Sequence, residues 1–205
     1  MVSVVINNPD WFLNIDIIFA TISIIVSLLI TFVSVKAWFV IKRLRYVAWS
    51  IAFLALGFSF VARIVANIYP DPLIFYIGYG LHIMSTIFAF LTFFIVANRI
   101  YNARIVILLY LMPFVLIFFS SSYFMSFYVT TSIITLMLAL TYFVNFLQKK
   151  KISAFCVFFA FLMLFLAHLQ FLLSSIFHVL YISANVTQLL GFVLFLITLI
   201  KVLKS

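Results

Sequence analysis

Seven stretches of mainly apolar residues follow one another along this chain, with only short polar turns between them. A membrane-spanning helix needs about 20 such residues. No remaining segment is long enough for a water-soluble domain, which excludes a kinase, ATPase or nucleotide-binding domain within these 205 residues. The pattern predicts an all-α, polytopic integral membrane protein in which residues 1–205 form a single seven-helix bundle.

Composition agrees with this prediction, because 69% of the residues are hydrophobic and 7% are charged. A soluble domain is closer to half apolar and a quarter charged. The lipid bilayer is therefore the first partner we expect. The predicted spans, with boundaries good to a few residues, are about 13–35, 46–69, 73–97, 105–119, 127–147, 152–180 and 183–203.

The basic residues predict the orientation of these spans. Eleven of the twelve lysines and arginines fall on one side, in the loops after the first, third and fifth spans and at the C-terminal end. Asp10 and Asp71 fall on the other side. Because cytoplasmic loops are enriched in Lys and Arg, we expect an outside N-terminus and a cytoplasmic C-terminus. Helical spans also favour a plasma membrane, and the net charge of +9 marks topology rather than a nucleic-acid partner.

One basic residue, Arg63, breaks this rule. It lies six residues before the predicted end of the second span, about 9 Å below the outer surface. A charge at membrane depth is costly and is usually functional. Asp16 is the only acid within a span, and its depth matches that of Arg63 to within about one helical turn. We expect the two to pair, with Asn67 or a tyrosine as a further acceptor; the alternative is Arg63 snorkelling towards Asp71 or the headgroups.

Other polar side chains also concentrate in the outer half of the spans. Each unsatisfied polar group in a bilayer core is expensive, and one ion pair cannot satisfy them all. We therefore expect a water-accessible, outward-facing pocket, closed below by Phe and Leu side chains. The fourth span, which lacks a stripe of small or polar residues, should be peripheral and take no part. The predicted ligand-binding residues are Asp16, Arg63, Asn67, Tyr79, His82, His168 and Gln188.

Two classes of function fit this pattern. The first is a non-enzymatic bundle that binds a small ligand, as a receptor-like sensor or a transporter. The alternative is an accessory or scaffold subunit that assembles with another membrane protein or with itself. That subunit would hold haem b if His82 and His168 face each other across an apolar slot. No motif for catalysis is present, and we expect neither a catalytic residue nor a metal site.

The two ends of the chain also resemble each other. Aligning Ala52 with Ala160 superposes the second and third spans on the sixth and seventh. This predicts a parallel repeat of three spans on each side of a connecting fourth span. The match is short, and chance in a chain rich in Phe, Leu and Ala is the competing explanation.

Overall fold

The computed structural model describes residues 10–69, 71–120, 122–174 and 176–204, with side chains from residue 14 onward except that of Phe118. These residues form seven helices and no strand, so the all-α prediction is confirmed. The helices are α1 (Asp10–Ile41), α2 (Leu44–Ile68), α3 (Pro72–Ala97), α4 (Ala103–Phe118), α5 (Tyr123–Lys149), α6 (Ile152–Leu173) and α7 (Val179–Lys204). All except α4, which has 16 residues, are long and apolar enough to cross a membrane. The protein is thus built as a multi-pass membrane protein in contact with lipid.

Helix boundaries differ from the predicted ones mainly between α6 and α7. The sixth span was expected to reach residue 180, but the helix ends at Leu173. Ser174 follows, and its hydroxyl donates to the carbonyl of Phe171 over 2.6 Å. Such local bonds compete with helix continuation. His178 consequently lies in the connection between the helices and not on α6.

The turn between α2 and α3 leads into a side-chain cap. Asp71 caps α3, accepting hydrogen bonds from the backbone N–H groups of Leu73 at 2.7 Å and Ile74 at 3.2 Å. Pro72 occupies the first turn, where it has no intrahelical N–H bond to lose. Pro70, the other proline of this turn, lies outside the described residues.

The helices form two sets of three that are joined into a ring. Helix α2 packs between α1 and α3, and α6 packs between α5 and α7. Contacts of α1 with α7 and of α3 with α5 close the ring. In the described part of the chain α4 contacts only α3 and α5, as expected for a peripheral helix. Its Tyr110 hydroxyl lies 2.9 Å from the hydroxyl of Thr92 on α3.

Small residues allow neighbouring helices to approach closely, as is common in membranes. A Cβ atom built on Gly78 of α3 would lie 2.7 Å from the Cβ of Ala66 and 2.8 Å from the carbonyl oxygen of Ala62, both on α2. One built on Gly191 of α7 would lie 3.1 Å from the carbonyl oxygen of Ala160 on α6. Each set of three helices therefore has one glycine contact between its second and third members.

Four buried phenylalanines join the two sets at the centre of the bundle. We call Phe53, Phe93, Phe161 and Phe195 the Phe cluster; they come from α2, α3, α6 and α7 respectively. Within each set the ring centroids are 5.1 Å apart for Phe53–Phe93 and 4.8 Å for Phe161–Phe195. Between the sets they are 5.3 Å for Phe53–Phe195 and 5.6 Å for Phe161–Phe93. The contacts are nearly unchanged when Phe53 is exchanged with Phe161 and Phe93 with Phe195, although the alignment that pairs Phe53 with Phe161 places Lys201, and not Phe195, opposite Phe93.

Candidate functional site

The site is built around a buried ion pair between α1 and α2. The side chain of Asp16 is 1% exposed and that of Arg63 is 5% exposed. Arg63 donates through Nη2 to Oδ1 of Asp16 and through Nε to Oδ2, the latter over 3.1 Å. The predicted pairing is confirmed. The snorkelling alternative is wrong, because the guanidinium group turns to Asp16 and not to Asp71.

Three further polar residues surround this pair. Asn67 donates to Oδ2 of Asp16 over 2.6 Å, and Tyr181 donates to Oδ1. Arg63 Nη2 also lies 3.0 Å from the hydroxyl of Tyr181 and 3.3 Å from Oδ1 of Asn185. A tyrosine is thus the further acceptor for Arg63, as expected. Asn67 is not the acceptor for Arg63, because its amide nitrogen donates to the Asp16 carboxylate and its amide oxygen accepts from Tyr79.

Tyr181 and Asn185 are functional candidates that sequence reasoning missed. Both lie in the first turns of α7, four residues apart, and so share a face of the helix. The spacing of Tyr181, Asn185 and Gln188 is the signal that was available. It was obscured because the sixth span was drawn too long and the seventh was started at residue 183, beyond Tyr181.

Tyr79 extends the network towards α3. Its hydroxyl donates to Oδ1 of Asn67 over 2.9 Å, which orients the Asn67 amide towards Asp16. The ring of Tyr79 packs edge-on against Phe124 of α5, with centroids 5.2 Å apart. Hydrogen bonds therefore link α1, α2, α3 and α7 at the end of the bundle where α1 begins.

The two predicted histidines lie deeper and are also hydrogen-bonded. Nδ1 of His82 lies 3.0 Å from the hydroxyl and 3.1 Å from the carbonyl oxygen of Ser59. Nδ1 of His168 lies 2.6 Å from the carbonyl oxygen of Leu164. Since a carbonyl oxygen only accepts, Nδ1 of His168 carries the proton of this bond. In the neutral ring its Nε2 is then an acceptor.

A small cavity of about 10 Å³ lies between Arg63 and these histidines. That volume is about the minimum for one water molecule. The side chain of Gln188, a residue that is 7% exposed, lines this cavity and has no hydrogen-bond partner among the described residues. The cavity is lined by Phe60, Arg63, His82, Thr86, Phe127, Tyr128, His168, Phe171 and Gln188. It therefore offers polar groups to a small guest.

The structure brings all seven predicted residues into one continuous cluster. Asp16, Asn67 and Tyr79 belong to the hydrogen-bond network, while His82, His168 and Gln188 line the cavity. Arg63 belongs to both. The cavity is far smaller than the expected pocket, because the outer polar groups largely satisfy one another. In the described residues, α4 contributes to neither part.

The residues around this cavity do not fit a haem. The space has room for about one water molecule. The ring of Phe127 packs against both histidines, with centroids 5.7 Å from His82 and 6.5 Å from His168. A porphyrin between the two imidazoles would require this phenylalanine and the helices to move apart.

A second, larger space lies outside the polar cluster. It is an apolar groove of about 810 Å³ between α4 and the lipid-facing sides of α2 and α3. Its walls include Leu54, Phe58, Met84, Phe88 and Phe114. The groove offers no charged group, so it adds no chemistry to the site.

Comparison of the chain with protein-family models, with curated proteins and with solved structures gave no match. The function is therefore argued from the geometry of the cluster alone.

Proposed function

We propose that this protein is a non-enzymatic membrane protein that binds a small polar ligand in the outer half of its helix bundle, for sensing or transport. The observation that carries the proposal is the convergence of polar side chains from α1, α2, α3, α6 and α7 on one buried ion pair and one cavity. Polar residues that served only to pack two helices together would not come from five different helices.

The cost of these residues supports a role beyond packing. Ionisable groups inside a membrane are rare, face the bundle interior and mark ligand or ion pathways. Polar groups left unsatisfied in the bilayer core are expensive, yet Gln188 lacks a hydrogen-bond partner in the described part of the chain. A guest in the cavity would satisfy it.

The location of the ion pair suggests how a ligand enters. Asp16 lies on α1, and its donors lie on α2 and α7, so the network spans the contact that closes the ring. If α1 and α7 separate on the outer side, the space now filled by the Asp16 carboxylate becomes continuous with the cavity below. A guest larger than water requires this opening.

The proposal includes a membrane orientation. We place the N-terminus outside and the C-terminus in the cytoplasm of the plasma membrane, so that the polar cluster faces outward and the basic loops face inward. All seven helices cross the bilayer in this arrangement, with α4 as the shortest. A tag placed at either terminus and probed with an impermeant reagent on intact cells tests the orientation.

Thermal unfolding in lipid nanodiscs tests ligand binding directly. We expect at least one class of solute, among amino acids, monocarboxylates, amines and sugars at millimolar concentration, to stabilise the wild type. Gln188→Leu should abolish this effect. Gln170→Leu is the matched control, because Gln170 accepts a hydrogen bond from Thr187 and does not line the cavity. If no solute stabilises the wild type, the proposal fails.

The alternative is an accessory subunit of a larger membrane complex, acting through another membrane protein or a second copy. The observation that favours it is the near-complete satisfaction of Asp16 and Arg63 within the chain, which a static structural pair also requires. Purification in mild detergent distinguishes the two, since a subunit should retain a stoichiometric partner. An absorption spectrum with a Soret band would add haem to this alternative.

A further inference from the structure

We infer that Arg63, Asn67 and Tyr181 form a binding site for the carboxylate of a small organic acid, and that Asp16 occupies this site in the present structure. The inference rests on the proposed ligand-binding function and names its ligand class. Asp16 is then the chain's own competitor for the ligand, carried into the site on α1.

The arrangement of donors is that of a carboxylate site. Each oxygen of Asp16 has two donors: Oδ1 accepts from Arg63 Nη2 and Tyr181, and Oδ2 accepts from Arg63 Nε at 3.1 Å and Asn67 at 2.6 Å. A guanidinium group that bonds both oxygens of one carboxylate recognises their planar, paired geometry. Chloride lacks this shape and cannot accept the same four bonds.

Two of the three donors, Asn67 and Arg63, also have hydrogen-bond partners other than Asp16. Tyr79 donates to Asn67 over 2.9 Å, which turns the Asn67 amide towards the carboxylate. Arg63 lies 3.3 Å from Oδ1 of Asn185, and Asn185 itself donates to the carbonyl oxygen of Tyr181 over 2.9 Å. The site is therefore preorganised, and a carboxylate entering it meets donors that need little rearrangement.

Within this site, only the carboxylate of Asp16 comes from α1. Asp16 lies six residues after the start of α1, whereas its three partners lie on α2 and α7. A shift of the outer end of α1 removes the carboxylate and leaves the donors behind. An external acid competes with a tethered one, whose effective concentration is in the millimolar range or above. The wild type should therefore bind such acids weakly unless α1 moves.

Replacing the tethered carboxylate by a free one tests the inference. Asp16→Gly removes the carboxylate and its methylene group, which sodium acetate replaces almost atom for atom. We expect the full-length variant in nanodiscs to unfold at a lower temperature than the wild type. Acetate should restore part of the difference, saturably, whereas sodium chloride at equal ionic strength should not. The affinity for acetate should be at least about ten-fold higher than in the wild type, where Asp16 competes.

Two further variants keep the result interpretable. The double variant Asp16→Gly, Arg63→Gln should show no response to acetate, because it lacks the guanidinium group that bonds both carboxylate oxygens. Asp16→Ala also removes the carboxylate but avoids the low helix propensity of glycine, so that it decides the matter if the glycine variant does not fold; acetate should stabilise it more than chloride does. If neither position-16 variant responds to acetate, or if the response persists without Arg63, the inference is overturned.

The same measurements separate this inference from the proposed function. If a neutral or cationic solute stabilises the wild type in a Gln188-dependent way and acetate leaves both position-16 variants unchanged, ligand binding stands and the carboxylate assignment falls. If acetate rescues the variants and no solute of any class stabilises the wild type, the donors recognise a carboxylate but no external ligand reaches them in the native protein. That result would overturn both.

Discussion

The two halves of the bundle, called outer and inner after the proposed orientation, are held together in opposite ways. The inner half has the Phe cluster, whose contacts are nearly the same from either set of three helices. The outer half has the Asp16–Arg63 network, to which α1, α2 and α3 contribute most residues and α7 contributes the rest. The alignment that pairs Phe53 with Phe161 pairs Arg63 with Phe171. The ring contacts of the core are thus similar in the two sets, whereas among the described residues the second set has no counterpart of the polar network.

This contrast teaches where function is to be sought in such a chain. In lipid there is little hydrophobic force between helices, so association depends on close packing and hydrogen bonds. The Phe cluster supplies the packing symmetrically and needs no polar group. The outer half contains buried charges, whose burial costs free energy. Packing of a symmetric scaffold does not require them. The proposed ligand site is therefore assigned to the asymmetric residues.

Removing Arg63 should give the largest effect and should act on the outer half alone. Arg63→Met leaves the Asp16 carboxylate buried at 1% exposure without its cation. Breaking a buried pair from one side costs about 3–5 kcal/mol. We expect that loss in the free energy of unfolding, measured by reversible unfolding in mixed micelles.

The double variant Asp16→Leu, Arg63→Met is the control for this prediction. Replacing both members of a buried pair by apolar residues is often neutral, so we expect most of the lost stability to return. A double variant as unstable as Arg63→Met would mean that the hydrogen bonds of Asn67 and Tyr181 to the Asp16 carboxylate contribute to stability independently of Arg63.

The symmetry of the inner half is tested by truncating its two equivalent rings. Phe53→Ala and Phe161→Ala should each cost about 2–3 kcal/mol, somewhat below the range for water-soluble cores, because the transfer contribution shrinks when the outside is lipid. The two costs should agree to within about 1 kcal/mol, since each ring contacts both Phe93 and Phe195. A large difference between them would show that the halves are not energetically equivalent.

A smaller effect is expected at the glycine contact within the first set. Gly78→Ala places a methyl group 2.7 Å from the Cβ of Ala66 and 2.8 Å from a backbone oxygen, so α2 and α3 must separate. We expect a loss of about 1–2 kcal/mol in the same unfolding assay. Gly80→Ala is the matched control two residues away, because nothing lies within 4 Å of its added Cβ. A loss at Gly80 equal to that at Gly78 would point to helix flexibility rather than contact.

The sequence predicted much of this molecule because its strongest signals are local. Apolar length predicts helices, and the depth of Arg63 and Asp16 along their helices predicted their pairing. The Phe cluster was not identified, since with 28 phenylalanines no pattern marks the four that meet. Tyr181 and Asn185 were missed because the end of α6, and hence the start of α7, depends on a local hydrogen bond of the Ser174 hydroxyl. The size of the cavity could not be predicted from the sequence, because it depends on which hydrogen bonds the side chains of five helices form with one another.

The smallest prediction concerns the basic ends of the helices, where the structure departs from what backbone sterics favour. Lys42, Arg99 and Lys150 all have positive φ, at 56°, 55° and 47°. All three follow helices α1, α3 and α5, at the ends opposite to the polar network. Glycine is the residue normally favoured at such a position, so charge and backbone preference conflict here.

Lys150→Gly should therefore stabilise the protein. A non-glycine residue in the left-handed region costs about 1–2 kcal/mol, and the greater freedom of glycine in the unfolded chain returns part of that. We expect a net gain of about 0.5–1 kcal/mol in the free energy of unfolding. Lys151→Gly removes the same charge next door, where φ is −85° and ψ is 123°, and should bring no gain. Equal gains at both positions would mean that relief of charge repulsion in the loop, and not the left-handed backbone, is what the substitution changes.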